Sequence, residues 1–359
     1  MIYGIILAGG RGERFWPLSR QDNPKQLLKL TSDKTMIHET IDRLNGFIPM
    51  ENILVVTASN LKDKILAVVP GLKESNLLLE PEGRNTCLAI GLAAAHLKQK
   101  DPDAVMVILS SDHLINPTDK LQALLRAGAE QAQSSDYLIT IGVVPTRAET
   151  AYGYIELGEE YNKKGGIDFY HVKQFKEKPS PTKAQEYYLD RAHLWNSGMF
   201  IWRADAILAS IERFVPAIQD CISVYEKEIG KAGEIQAREK LYCESISISI
   251  DFAVLENAPN VLTMKGEIKW DDVGSWLALG RTKPHDKYNN VLVGDVMSES
   301  SYENTIVNDD SGVIVALGVT DLVIVRAGEI VMVAHKTRVG DIKELLAKIA
   351  ANKDYEKYL

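Results

Sequence analysis

Apolar positions over residues 1–143 follow two rhythms. Short unbroken runs at Met1–Ala8, Ile53–Val56, Leu77–Leu79, Ala104–Leu109 and Tyr137–Val143 read as buried strands. A strand covered on both faces loses the alternation of inward and outward residues, so its apolar run is continuous. Between these runs the spacing is helical. It predicts helices over Lys34–Leu44 (with Met36, Ile37, Ile41 and Leu44 on one side), Leu61–Val69, Thr86–Leu97 and Asp119–Ser134. Strands alternating with helices predict βαβ units, a parallel sheet and right-handed crossovers. Ligands of such open sheets sit beyond the carboxyl ends of the strands, which is where candidate chemistry is expected.

Past Val144 the pattern turns to strands with fewer helices, including one over Trp195–Trp202, and helical spacing then fills 204–243 as a lid or flank. From about Pro284, β-rich pieces (Val291–Val296, Val313–Leu317, Leu322–Val325, Ile330–Ala334) alternate with polar turns. A helix with Val339, Ile342, Leu345, Leu346 and Ile349 on one face follows. The expected division is a domain over 1–283 and a small β-rich C-terminal domain with a terminal helix over 284–359.

The bulk numbers narrow the partners. With 359 residues, 45% hydrophobic and 25% charged, the chain has ample material for a core. A net charge of −8 argues against a nucleic-acid surface and for a small anion met by a local basic site. No apolar run approaches the roughly 20 residues of a membrane span, and residues 1–10 lack signal-peptide character. Three dispersed cysteines and seven scattered histidines point to a reduced, cytoplasmic protein without a histidine-built metal site.

The first strand runs into Gly9-Gly10-Arg11-Gly12-Glu13-Arg14. Such glycines leave backbone N–H groups uncrowded for phosphate oxygens, and Arg11, Arg14 and Lys25 add fixed positive charge. A bare strand-to-helix turn with exposed basic residues would look similar. Lys25 follows no glycine, which excludes a Walker A loop, and Phe15 stands where a dinucleotide fingerprint beginning at Gly10 needs glycine. Other strand ends carry Glu80-Pro81-Glu82-Gly83-Arg84-Asn85-Thr86 and Ser110-Ser111-Asp112-His113. The first is either a turn with Asn85 or Thr86 as helix N-cap, or a reader of a base edge, since guanine's N–H donors suit a carboxylate such as Glu80. Asp112 is either a turn former or a hard oxygen ligand for Mg²⁺.

Leu7-Ala8-Gly9-Gly10-x-Gly12-x-Arg14-x-Trp16-Pro17-Leu18-Ser19 with Pro24-Lys25-Gln26 resembles the signature of the sugar-nucleotide pyrophosphorylases. The Trp-Pro-Leu-Ser-Arg and Pro-Lys-Gln wording is similar to the mannose-1-phosphate guanylyltransferase branch. Later motifs follow in the family's order: Glu80 to Thr86 (with Cys87-Leu88 where Ala-Pro is common), Asp112, Tyr152-Gly153-Tyr154-Ile155, Glu177-Lys178-Pro179, Asn196, Ser249 to Glu256, and Trp270-Asp271-Asp272-Val273-Gly274-Ser275-Trp276. The resemblance implies a Rossmann-like, mostly parallel sheet flanked by helices, of the nucleotide-diphospho-sugar transferase type. It also implies a C-terminal partial left-handed β-helix used in oligomer contacts, and hence a homodimer.

It implies a nucleotide site of Leu7, Ala8, Gly9, Gly10, Gly12, Arg14, Lys25, Glu80, Asn85 and Asp112. The implied sugar-phosphate site is Gly153, Glu177, Lys178 and Asn196. Mg²⁺ would be held by Asp112 and Asp272, and catalysis would rest on Arg14, Lys25, Lys178, Asp112 and Asp272. The substrates would be GTP and mannose 1-phosphate, giving GDP-mannose and pyrophosphate. Asp251 is left open between an N-cap and a sugar-site residue. Alternatives are another NTP or hexose 1-phosphate, a nucleotide-sugar-binding module without turnover, and, disfavoured by Phe15, a nicotinamide oxidoreductase.

Overall fold

A computed structural model describes residues 1–10 and 12–359. Arg11, one of the expected loop cations, lies outside the described residues. The described chain divides into two compact units. The first comprises Met1–Gly9, Thr40–Ser111 and Ile115–Trp270, and the second Gly10–Glu39, Asp112–Leu114 and Asp271–Leu359.

The first unit is built on a nine-stranded sheet: β1 (Ile2–Ala8), β2 (Ile53–Ala58), β3 (Leu77–Glu80), β4 (Val105–Ser110), β5 (Leu138–Val143), β6 (Tyr154–Lys164), β7 (Ile167–Lys176), β8 (His193–Arg203) and β9 (Val261–Gly266). Their order across the sheet is β3-β2-β1-β4-β8-β5-β9-β7-β6. β1 pairs in parallel with β2 and β4, β2 with β3, and β9 with β5. β8 runs against β4 and β5, and β7 runs against β9 and β6. The sheet is thus mostly parallel, with two opposed strands. The βαβ rhythm read over residues 1–143 holds there, and the opposed strands come after it. One of them, β7, follows β6 through a tight hairpin turn, which only antiparallel neighbours allow.

The β1–β4 runs are buried because helices cover them. The helix Asn85–Lys100 buries Cys87, Leu88, Ile90, Leu92 and Leu97, while Thr118–Gln133 buries only one stripe, around Leu121, Leu124 and Leu125. The stretch expected as one helical flank is three helices, Ala204–Phe214, Pro216–Glu226 and Glu234–Glu244. Pro216 takes the first position of the second, where its missing N–H costs nothing. The predicted helix N-cap also differs: Arg84 precedes the first turn, Asn85 adopts φ 66°, and the Thr86 hydroxyl accepts from the Ile250 N–H.

In the second unit, strands Val291–Val293, Thr305–Asn308 and Leu322–Ala327 stack parallel and in register, and Ile330–His335 closes the sheet antiparallel. Val296–Glu299 pairs in parallel with Ile314–Leu317. Buried asparagines join the successive turns: Asn304 Nδ2 donates to Asn290 Oδ1 at 3.0 Å and to the Val319 carbonyl at 2.9 Å. This answers the buried backbone's demand for partners where the chain leaves the ladder. Phe15, Trp16, Met36, Trp276, Val307, Val323 and Ile342 share this unit's core.

Candidate active site

The expected site residues fall into two groups, one in each unit. The first is organised by Lys25. Gly12 stands in the left-handed region at φ 64°, and a Cβ there would lie 2.4 Å from Lys25 Cβ and 2.8 Å from its backbone nitrogen. Only glycine permits that turn and that approach together. The loop is pinned by Ser19 Oγ donating to the Gly12 carbonyl at 2.7 Å and Trp276 Nε1 donating to the Trp16 carbonyl at 3.1 Å. The Lys25 side chain is buried; its ammonium lies 2.9 Å from Asp112 Oδ2 and donates to the Asp272 backbone carbonyl at 2.6 Å. Arg14 is exposed in the short turn Glu13–Phe15.

Burial works to raise the Asp112 carboxyl, but Lys25 and His113 outweigh it and hold the group below the usual aspartate range. It is therefore an anion at neutral pH. Asp272 is half-buried, and its Oδ1 accepts the Gly274 N–H at 3.0 Å. The neighbouring Asp271 is committed elsewhere: its carboxylate accepts from Arg281 Nε at 2.7 Å, from Arg281 Nη2 at 3.0 Å and from the Val273 N–H at 2.8 Å. This favours Asp272 over Asp271 as a ligand. Among the described residues no group of three or more His, Cys, Asp or Glu is placed to hold a metal. The Asp112 carboxylate and the carboxylate of Asp272, whose backbone carbonyl accepts from the same lysine, are hard oxygen donors that still fit a cation taking its remaining ligands from phosphate and water.

The second group lies in the first unit. Leu7 and Ala8 carry their backbone carbonyls into hydrogen bonds with the Ser111 N–H and the Thr57 hydroxyl. Glu80, the last residue of β3, is buried, and burial pushes its carboxyl up to about 7 against the opposing Tyr242 hydrogen bond. Asn85 is exposed.

The Gly153 carbonyl accepts the Asn196 N–H at 2.8 Å, and a Cβ on Gly153 would meet Glu177 Oε2 at 2.3 Å. Lys178, at φ 47°, places its ammonium 2.7 Å from Glu177 Oε1. Asn196 Nδ2 donates to Asp251 Oδ1 at 2.8 Å. Burial, then the Glu177 carboxylate, pushes Asp251 up to about 6. The structure thus gathers Gly153, Glu177, Lys178 and Asn196, and adds Asp251, which the sequence left undecided. The other addition is Tyr242, one of two buried residues on the helix Glu234–Glu244, in a stretch that the sequence marks only by helical spacing.

A family model described as nucleotidyl transferase matches residues 3–289, and one described as MannoseP isomerase/GMP-like beta-helix domain matches residues 299–349. The chain belongs to the nucleotidyl transferase family. Enzymes of this family generally use a divalent metal. A mannose-1-phosphate guanylyltransferase of Klebsiella pneumoniae is 34% identical over 359 residues, covering 99% of this chain and 75% of that protein. The mannose-1-phosphate guanylyltransferase ManC of Salmonella typhimurium is 36% identical over 366 residues, covering 100% and 75%. A crystal structure from Thermus thermophilus, described as a mannose-1-phosphate geranyltransferase, superimposes with a TM-score of 0.86 at 32% identity, covering 97% of this chain and 99% of that one. Among the described residues no helix is long and apolar enough to cross a membrane.

Proposed function

We propose that this protein transfers GMP from GTP to α-D-mannose 1-phosphate, releasing pyrophosphate and forming GDP-mannose. The match over nearly the whole chain to mannose-1-phosphate guanylyltransferases supports the substrates. The observation that carries the chemistry is the Lys25 ammonium held by the Asp112 carboxylate and the Asp272 carbonyl. A buried cation beside a glycine turn is what a triphosphate needs, and it is ready before substrate arrives.

The nucleophile is a phosphate oxygen of the sugar phosphate, already an anion, so no general base is required. It bonds to the α-phosphorus of GTP while the bond from that phosphorus to the α–β bridging oxygen breaks, and the electron pair leaves with pyrophosphate. The main-chain amides at Gly9, Gly10 and Gly12, with Arg14 and Lys25, hold the triphosphate and offset charge on the leaving group. Glu80 and Asn85 read the base. Gly153, Glu177 and Asn196 hold the sugar, and Lys178 holds its phosphate. Fixing both anions in line supplies on the order of 7–11 kcal/mol of the barrier. Asp112 and Asp272 would hold Mg²⁺, whose charge neutralises phosphate oxygens when it is bound.

We assign residues 1–283 as the catalytic domain and 284–359 as the small C-terminal β-rich domain, a division supported by the ranges of the two family models. The working form is a cytoplasmic homodimer, without a nucleic-acid or membrane partner. The test is pyrophosphate release with mannose 1-phosphate and Mg²⁺, with GTP, ATP, UTP and dTTP supplied separately. Selectivity for GTP is expected. Selectivity for another nucleotide would reject the base assignment, and silence with all four, repeated with glucose 1-phosphate, would leave a nucleotide-sugar-binding module.

A further inference from the structure

The helix Glu234–Glu244 buries Leu241 and Tyr242. The Tyr242 phenol donates to Glu80 Oε1 at 3.0 Å, from 162 residues away in sequence. The other oxygen, Oε2, is the atom that a Cβ on Gly9 would meet at 2.9 Å. One carboxylate oxygen is therefore held by a phenol, and the other lies against the bare backbone where β1 gives way to the glycine loop. We propose that Tyr242 is a positioning residue for base selection, whose hydroxyl fixes the Glu80 carboxylate as an acceptor for the adjacent N1–H and N2–H₂ donors of guanine. This rests on the guanine-reading role given to Glu80 above.

The chemistry follows from the two states of the carboxyl group. As an anion it accepts through both oxygens; as an acid it turns one oxygen into a donor, which opposes guanine's own donors. Burial raises the Glu80 carboxyl to about 7, and the Tyr242 hydrogen bond pulls it down by stabilising the anion. The other ionisable groups facing the pair are Tyr225 and Arg238. Tyr225 is bonded in turn to His96 Nε2 at 2.5 Å and to Glu234 Oε1 at 3.0 Å. In the loop after β3, Glu82 and Arg84 pair with each other. Tyr242 is thus the neighbour that holds the carboxylate in its accepting form. Tyr242→Phe removes the donor and keeps the ring.

The experiment follows pyrophosphate release by the unsubstituted enzyme, Tyr242→Phe and Glu80→Gln, with GTP and with inosine triphosphate, which lacks the 2-amino group, from pH 6 to 9. Tyr242→Phe is expected to raise KM for GTP about tenfold at pH 7, the size of a lost charge-assisted hydrogen bond. Its kcat at saturating GTP stays within about twofold, the KM defect shrinks toward pH 9 as the carboxyl ionises, and the preference for GTP over inosine triphosphate narrows. An unchanged KM and pH profile in Tyr242→Phe, while Glu80→Gln abolishes the GTP preference, overturns the role of Tyr242 and leaves the reading of Glu80 standing. A GTP preference that survives Glu80→Gln overturns that reading itself. An equal loss of kcat with both nucleotides at every pH assigns Tyr242 to packing and overturns the proposal. If Tyr242→Phe does not fold, calorimetry of GTP binding to the unsubstituted enzyme at pH 6.5, in buffers of different ionisation enthalpy, carries the test. Proton release larger than that of Glu80→Gln in the same titration is expected, since the terminal phosphate of GTP contributes equally to both, and equal release overturns the proposal.

Discussion

Arg281 grips Asp271 at two points, Nε to Oδ2 at 2.7 Å and Nη2 to Oδ1 at 3.0 Å. The same Oδ1 accepts the N–H of Val273, a buried β-branched residue at φ 45°. That backbone conformation is costly for valine and persists only where its surroundings enforce it. The ion pair supports the strained turn, and the turn presents Asp272. Arg281→Met leaves a buried carboxylate without its partner, and roughly 2 kcal/mol of stability should be lost, less than for a fully buried pair because Arg281 is exposed. Urea denaturation measures that loss. At a temperature where the variant is folded, kcat should also fall, because Asp272 is no longer held; an unchanged kcat would separate Asp271 from the site.

Lys25→Ala should lower kcat/KM well over tenfold with the fold retained. A hydrogen bond between charged groups contributes about 1.5–3 kcal/mol, and Lys25 also keeps Asp112 in company. Circular dichroism checks folding and pyrophosphate release checks rate. A near-normal rate removes Lys25 from the mechanism.

Gly153→Ala drives a methyl group into Glu177 Oε2, which a Cβ would approach to 2.3 Å. The proposed sugar site should suffer and the nucleotide site should not. The expected result is a KM for mannose 1-phosphate raised about tenfold or more, with KM for GTP unchanged. Equal effects on both constants would contradict the separation of roles.

The pH dependence of stability has a definite sign. In the folded protein the Glu80 carboxyl lies near 7 against 4.5 for the free side chain. The folded state therefore binds the extra proton between those values, and this group's contribution to stability falls as pH rises through that window. Relative to Glu80→Gln, the unsubstituted protein should lose on the order of 3 kcal/mol between pH 4.5 and 7. Asp251, raised from 3.8 to about 6, acts in the same direction but is common to both proteins and cancels. Urea titrations at successive pH values test this, and a parallel pair of curves would refute it.

Much of this molecule is local and could be read from the chain. Continuous apolar runs located β1 to β5, because a strand buried on both faces needs no alternation. The glycine turn could be read because its positions are adjacent in sequence. Helix ends were legible only to within a few residues, and the cap expected at Asn85 or Thr86 does not form: the Thr86 hydroxyl accepts the distant Ile250 N–H instead. The hairpin β6–β7 and the reversed strand β8 were not legible as such, since a strand's direction depends on its neighbours rather than on its own residues.

For the site, the sequence determined which residue types were available: Lys25, Asp112, Glu80, Glu177, Lys178, Asn196 and Asp272. Only tertiary structure decided how they are used. It set the Lys25 ammonium on the Asp272 carbonyl, 247 residues away, and joined Asn196 to Asp251 over 55 residues and Glu80 to Tyr242 over 162. It also separated Asp271, bound to Arg281, from Asp272 beside it. Periodicity reports which face of an element is buried, whereas a hydrogen bond or a raised carboxyl depends on what the rest of the chain places within about 3 Å.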